Sequence, residues 1–444
     1  MGAEVLKMNR KAIEKSISAA GTAALAAVFV IWTIGSDYGA AGYAAAAVSA
    51  GLMLCLCLRF VPVWCAFWRL PEPEITAAGA EKNDCAGIFV CILLWDAAIL
   101  ALGYVLRALL GYDETVAEYA GVWLSTDSRH YMDIARDWYL SEGSIDRLVQ
   151  LVFFPGYPVV VRLFSYITGS CLAAGLCVSA LSFAGAGCVL YKLLLLDMDS
   201  AAARRAVLFF AANPAAFFFA SPMSESLFVL CTLLCLYLLR RGRPLTGALF
   251  GAYACFTRSV GLILLVPILF ELVHKRSRPR DYLALVIVPI GFAAYLGINY
   301  AVAQDAFKFM QYQSEHWSQH MGWFFNTAAY QTENALSAFS SDTKLLLGLW
   351  LPNILAQLVS LTAMIFAVRR LRASYTAYFI AYFIVAVGAT WLLSAPRYLA
   401  AMIALPAAFG LLSGKKERLW LLAALDGAAF IAYFCVFLLR WQVW

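Results

Sequence analysis

Charge is what this 444-residue chain has least of: 14% of its residues are Asp, Glu, Lys or Arg, against 63% hydrophobic. So few charges cannot clothe the surface of an ordinary water-soluble domain. Histidine is rarer still, with four residues. The longest polar stretches, 111–158 and 304–344, are too short for a separate soluble domain. The apolar runs show no two-residue alternation, which argues against a membrane barrel. The twelve cysteines follow no framework spacing. Most, including Cys55, Cys57, Cys171, Cys177, Cys188, Cys231 and Cys235, lie in apolar runs, where cysteine acts as a small hydrophobe. No small-residue cleavage site follows the basic patch Lys7, Arg10, Lys11 and Lys15, so the first apolar run reads as a retained span. The net charge of +6 gives no reason to expect a nucleic-acid partner, because the basic residues fall in short loops.

Long apolar runs are what the chain has in abundance. Mean hydropathy is +0.76. A run of ~20 apolar residues covers a hydrocarbon core of ~30 Å. The sequence predicts an all-α polytopic membrane protein with about 13 spans, organised as one transmembrane domain over 1–444. The expected spans are 18–35, 40–59, 86–106, 171–194, 206–221, 224–240, 244–257, 259–273, 282–303, 345–368, 375–393, 397–413 and 419–440. With the N-terminus in the cytoplasm, 23 of the 33 Lys and Arg residues fall on the cytoplasmic side, as the positive-inside rule requires. Their clusters run from Lys7 to Lys15, Arg59 to Lys82, Lys192 to Arg205, Arg240 to Arg243, Lys275 to Arg280, Arg369 to Arg372 and Lys415 to Arg418. The segments 111–158 and 304–344 then become outer loops.

Segment 126–158 concentrates Asp, Glu, Arg and His in a chain that otherwise avoids them. Ser125, Thr126 and Asp127 can open a helix whose apolar face is Tyr131, Ile134, Ala135 and Trp138. Such a helix lies flat at the membrane surface. Asp127 at its start is a helix cap in the plain reading and a proton acceptor for a hydroxyl in the chemical one. Phe153-Phe154-Pro155-Gly156-Tyr157-Pro158 forms a turn that returns the chain to the membrane. The same topology puts Glu225, Arg258 and Arg397 on the outer face. One carboxylate and two guanidiniums there suit a lipid substrate that carries phosphate. His316 and His320, four residues apart, have a spacing compatible with a metal on a helix, and His130 is a third imidazole on that face. No paired carboxylate motif accompanies them, so no cofactor is expected and a divalent metal remains the lesser alternative.

The ordered motifs resemble a known family. TDSRHYMDIARDWY followed by FFPGYP is similar to the acidic motif and FFP-x-[YF]-P of the GPI mannosyltransferase 2 (PIG-V) family and its bacterial relatives. Asn213-Pro214-Ala215 with Phe217-Phe218, Ser221-Pro222 and Ser224-Glu225-Ser226-Leu227-Phe228 resembles its next block. Phe256-Thr257-Arg258-Ser259 with Gly261-Leu262, and then Pro396-Arg397-Tyr398, resemble its later ones. Family members often carry Trp directly before the motif Asp, where this chain has Thr126, with Trp123 upstream.

The resemblance implies a GT-C type, membrane-bound inverting glycosyltransferase, most closely a mannosyltransferase. It implies a polyprenyl-phosphate sugar donor, a lipid-linked glycan or cell-envelope acceptor, and no nucleotide sugar. It implies Asp127 as general base in the first outer loop. His130, Tyr131, Pro155, Tyr157, Glu225, Arg258 and Arg397 are the expected donor-side residues, with the two arginines facing the leaving phosphate. The membrane would be a bacterial plasma membrane, or the endoplasmic reticulum in a eukaryote, with the site on the outer or lumenal face.

A transporter or flippase of lipid-linked sugars is the rival reading, and a non-catalytic membrane partner a third. A transporter places charge at the midplane of interrupted, repeated helices. Asp96 and Asp426 are the carboxylates that the sequence puts well within spans, and they show no repeat symmetry. The retained acidic and basic motif residues disfavour a partner without chemistry. The topology has a direct check. In a background with reactive native cysteines replaced, Ile145→Cys is expected to react with an impermeant maleimide from the outside of intact cells. Labelling from the cytoplasmic side alone contradicts it.

Overall fold

The computed structural model describes residues 2–68, 84–390 and 393–443, with the side chains of 2–10 left aside. Of the basic clusters, Arg69, Lys82 and the side chains of Lys7 and Arg10 lie outside the described residues. The described residues are helical almost throughout, with one isolated two-residue bridge between Met321 and Ala389. The chain is thus an all-α integral membrane protein, as its composition predicts.

Among the described residues seven helices are long and apolar enough to cross a bilayer: Lys11–Gly35, Ala40–Phe67, Cys85–Leu109, Cys171–Leu194, Pro279–Ala303, Thr343–Ala367 and Lys416–Leu438. The pair Ile145–Val152 and Gly156–Thr168, bent by 111°, would make an eighth if it is one span. The other expected spans are shorter or broken, so helix length does not establish a count of 13. The run at 206–221 ends as a helix at Ala211, turns through Asn213-Pro214 and resumes as Phe217–Ala220. The run at 397–413 divides into Ala395–Ala400 and Ala404–Leu412. Ser259–Leu264 opens the eighth run as a 3-10 turn before Leu265–His274.

Both outer segments hold more structure than loops. Segment 111–158 contains the helices Val116–Ala120, Ser128–Asp137 and Ile145–Leu148. It leads directly into Gly156–Thr168, a helix between the expected outer loop and the expected span 171–194. Segment 304–344 contains Lys308–Trp317 and Phe324–Ser341. The second of these packs along Ala40–Phe67 and so belongs to the bundle. Its polar residues Gln331 and Glu333 masked it among apolar runs.

Close backbone approach sets two of the contacts. A Cβ on Gly291 would run into Ala252 O, so glycine lets Ala284–Ala303 lie against Pro244–Thr257. A Cβ on Gly156 would strike Thr257 Oγ1, and Tyr253 OH donates to Gly156 O at 2.8 Å. This glycine seats the FFPGYP turn against the helix that ends at Arg258.

Paired charge enters the bundle at both ends of one helix. The helix Glu225–Arg240 is 16 residues long and carries a buried charge at each end. At 1.5 Å per residue those ends are about 22 Å apart. At the Arg240 end, Arg240 Nη1 and Nη2 donate to Asp197 at 2.8 and 3.0 Å, and Tyr375 OH donates to Asp197 at 2.8 Å. Arg372 grips Glu271 with Nε at 2.6 Å and Nη2 at 2.7 Å, and Ser374 Oγ donates to Glu271 as well. The basic loops 240–243 and 275–280 lie at this end. Glu271 is 1% exposed near the end of the expected span 259–273.

Removing one member of a buried ion pair leaves the other uncompensated, at about 3–5 kcal/mol. Glu271→Ala is therefore expected to destabilise the protein by about that amount. A thermal midpoint in detergent that does not move would show that this cluster bears no weight.

Candidate active site

The Glu225 end gathers the motif residues. Asp127 is contributed by the turn before Ser128–Asp137, and Glu225 by the first residue of Glu225–Arg240. Arg258 ends Pro244–Thr257, and Arg397 lies in Ala395–Ala400. These four positions span 270 residues of sequence. Arg397 Nη1 donates to Asp127 Oδ2 at 2.6 Å, and its Nε donates to Glu225 Oε1. Arg258 Nη1 donates to that same Glu225 oxygen and to Ser224 Oγ, the latter at 3.2 Å. Ser224 Oγ lies 3.0 Å from Tyr131 OH, one turn along the helix from Asp127. The Arg258 guanidinium sits under the Tyr398 ring at 4.7 Å, and that of Arg397 over Phe218 at 5.7 Å.

Asp127 does not cap its helix. It occupies the cap position, but its side chain makes no cap hydrogen bond. The carboxylate turns to Arg397 instead, and it remains 30% exposed while Glu225 is fully buried. The residue before it pays in backbone strain: Thr126 has φ of 52°, which a β-branched residue rarely adopts. A strained residue beside a carboxylate that reaches solvent is a common feature of functional sites.

The other expected residues divide into neighbours and supports. His130 stacks on Phe153, with centroids 4.6 Å apart, and the edge of Trp317 meets Phe153 at 6.4 Å. Tyr131 is buried and part of the hydrogen-bonded set. Tyr157 lies one ring behind it, at 5.5 Å. Its hydroxyl bonds Gly175 O and Ser179 Oγ, both at 2.9 Å, which anchors Gly156–Thr168 to Cys171–Leu194. Pro155 precedes that helix as its cap residue. Arg258 and Arg397, expected to face a donor phosphate, each hold a carboxylate here.

Among the described residues no three His, Cys, Asp or Glu side chains gather as metal ligands. His316 packs against Tyr312 and Trp317, and the His320 backbone N–H donates to Thr390 Oγ1 at 2.7 Å. Asp96 and Asp426 each keep a buried carboxylate oxygen without a hydrogen-bond partner.

Residues 110–328 match the family model described as Mannosyltransferase (PIG-V). Over those residues, just under half of its length, the chain is similar to the PIG-V mannosyltransferase family. The matched segment includes Asp127, Glu225 and Arg258; Arg397 lies beyond it. No curated protein matches the chain. Among solved structures, the crystal structure of the Archaeoglobus fulgidus oligosaccharyltransferase tethered with an acceptor peptide is similar at 13% identity and a TM-score of 0.41. The match covers 81% of this chain and 55% of that one, so this chain spans little more than half of that protein's length. A likeness this loose carries no residue roles across. The PIG-V family is one of glycosyltransferases, which agrees with an enzyme whose acidic motif residue reaches solvent.

The sequence reading missed Ser224 and Tyr398, which join Tyr131 and Arg258 to the cluster. Both stand inside quoted motifs, so motif membership was the signal. Burial holds the His130 imidazole below its usual range, against the pull of Asp127, Asp133 and Asp146. The folded protein therefore binds a proton at His130 less readily than the unfolded chain, whose histidine titrates near ~6.5. The stability this contributes is full above about pH 6.5 and is lost as pH falls from there through the lower value of the folded state. Thermal midpoints between about pH 5 and 8 are expected to show the drop, and His130→Phe to flatten it. An identical slope in the variant would contradict the burial of the neutral ring.

Proposed function

We propose that this chain transfers a sugar, mannose by family, from a polyprenyl-phosphate donor to a hydroxyl of a lipid-linked glycan or cell-envelope acceptor. The observation that carries the reading is the position of Asp127. Its carboxylate is free of any capping role, 30% exposed, and held by Arg397 at the end of an apolar bundle.

In the proposed reaction Asp127 accepts the proton of the acceptor hydroxyl. The hydroxyl oxygen attacks the anomeric carbon as the bond from that carbon to the phosphate oxygen breaks. The polyprenyl phosphate leaves with the electron pair, and a single displacement inverts the anomeric centre. The positive-inside asymmetry supports an outer or lumenal site, in a bacterial plasma membrane or the endoplasmic reticulum.

The buried charges favour this reading over transport. The paired charges around Glu225 and Arg240 sit at the two ends of Glu225–Arg240, and the carboxylates within spans, Asp96 and Asp426, show no repeat symmetry, whereas a transporter concentrates charge at the midplane of repeated helices.

Asp127→Asn tests the assignment. Membranes carrying the variant, incubated with labelled polyprenyl-phosphate mannose, are expected to form less product by a factor of at least about 100 at normal protein level. Near-normal transfer would remove Asp127 from the chemistry.

A further inference from the structure

The four charged groups at the site form part of a closed circuit. It runs from Asp127 through Arg397 to Glu225, on to Arg258 and Ser224, and back through Tyr131 to the helix that follows Asp127. Two carboxylates meet two guanidiniums, so the formal charges cancel. Arg258, Arg397 and Glu225 are all at least nine-tenths buried, and only Asp127 reaches water. A phosphate leaving group gathers negative charge as it departs and calls for surplus positive charge. A neutral set whose arginines already hold carboxylates does not supply it.

The circuit does supply fixed geometry. Arg397 uses two different nitrogens for two carboxylates, so it cannot turn about its axis without losing one. Glu225 is itself fixed by Arg258, and Arg258 by Ser224 and the Tyr398 ring. Asp127 receives one hydrogen bond, at Oδ2, and Oδ1 has no partner among the described residues. Reactions of this kind depend on placing the base to well within an ångström, and an error of ~1 Å costs about 100-fold in rate.

We infer that Arg397, backed by Glu225 and Arg258, is a positioning residue for Asp127, which holds one carboxylate oxygen so that the other faces the acceptor hydroxyl. The arginines are not the ligands of the donor phosphate. This rests on the assignment of Asp127 as the base. Glu225 is the keystone, because it alone touches both guanidiniums. Lysine cannot replace Arg397, because a single ammonium does not span Glu225 and Asp127 in one fixed plane.

The test is a split between maximal rate and donor KM. Membranes carrying the full chain, with their endogenous acceptor, are assayed with labelled polyprenyl-phosphate mannose. Arg397→Lys is expected to lower the maximal rate on the order of 100-fold and to leave donor KM within about twofold. Glu225→Gln is expected to act in the same direction, by roughly 10-fold. Asp127→Asn with Arg397→Lys should be no slower than Asp127→Asn alone, because a positioning residue has nothing left to position. A tenfold or greater rise in donor KM with maximal rate retained would assign Arg397 to the phosphate and overturn the inference. Full activity of Asp127→Asn would instead overturn the base itself, which separates the two failures. If Arg397→Lys does not accumulate as folded protein, Tyr131→Phe removes one hydroxyl from the circuit. A lowered rate at constant KM then supports the circuit, and an unchanged rate contradicts it.

Discussion

A charge buried in an apolar bundle must be paired, and that constraint organises this molecule. An unpaired carboxylate or guanidinium in such surroundings costs several kcal/mol. Pairing with full hydrogen bonding offsets that cost and demands a fixed geometry. The helix Glu225–Arg240 meets the constraint twice, once at each end. Around Arg240 the pairing ties together the turn after Cys171–Leu194, the helix Leu265–His274 and the start of Ala373–Gly388. Around Glu225 it ties the first polar segment to the ends of three other elements. The two clusters look alike as electrostatics. They differ in one respect that matters for chemistry: the carboxylate of Asp127 is 30% exposed, about twice the 14% of Asp197 in the other cluster.

That difference explains how a largely buried network can serve a reaction. The buried members need not touch substrate. They set the position of the single exposed member, and their low-dielectric surroundings make each hydrogen bond stiffer than it would be in water. Strain at Thr126 and the close approach at Gly156 belong to the same arrangement, since both bring the polar segment down onto the helix ends. The aromatic contacts of His130, Phe153 and Trp317 extend from this point towards the second polar segment and close one side of it.

The membrane class, most of the long helices and the motif residues were legible in the sequence. Hydropathy found the spans because each long helix satisfies its own backbone and needs only apolar side chains outside. It failed where the chain breaks that rule. Asn213-Pro214 and the Met402-Ile403 junction interrupt runs that are largely apolar, so composition saw one element where there are two. Gly156–Thr168 was hidden by the prolines at its start, and Phe324–Ser341 by its polar residues. At the site, Asp127, Glu225, Arg258 and Arg397 were legible as a set on one face, but their partners were not. The cap position of Asp127 pointed to a local hydrogen bond, and a guanidinium 270 residues away took it instead.

Local chemistry determined what the sequence could state by itself: an all-α integral membrane protein, a polar segment that carries an acidic motif, and arginines on the same side. Those properties depend on neighbours along the chain, through hydropathy, helix periodicity and charge asymmetry. Tertiary structure alone decided which charge meets which. Glu225 could have faced a substrate, a lipid or water; it lies instead between two arginines drawn from distant helices. Pairing of this kind depends on distances of a few ångströms between elements far apart in sequence, and no local pattern encodes them.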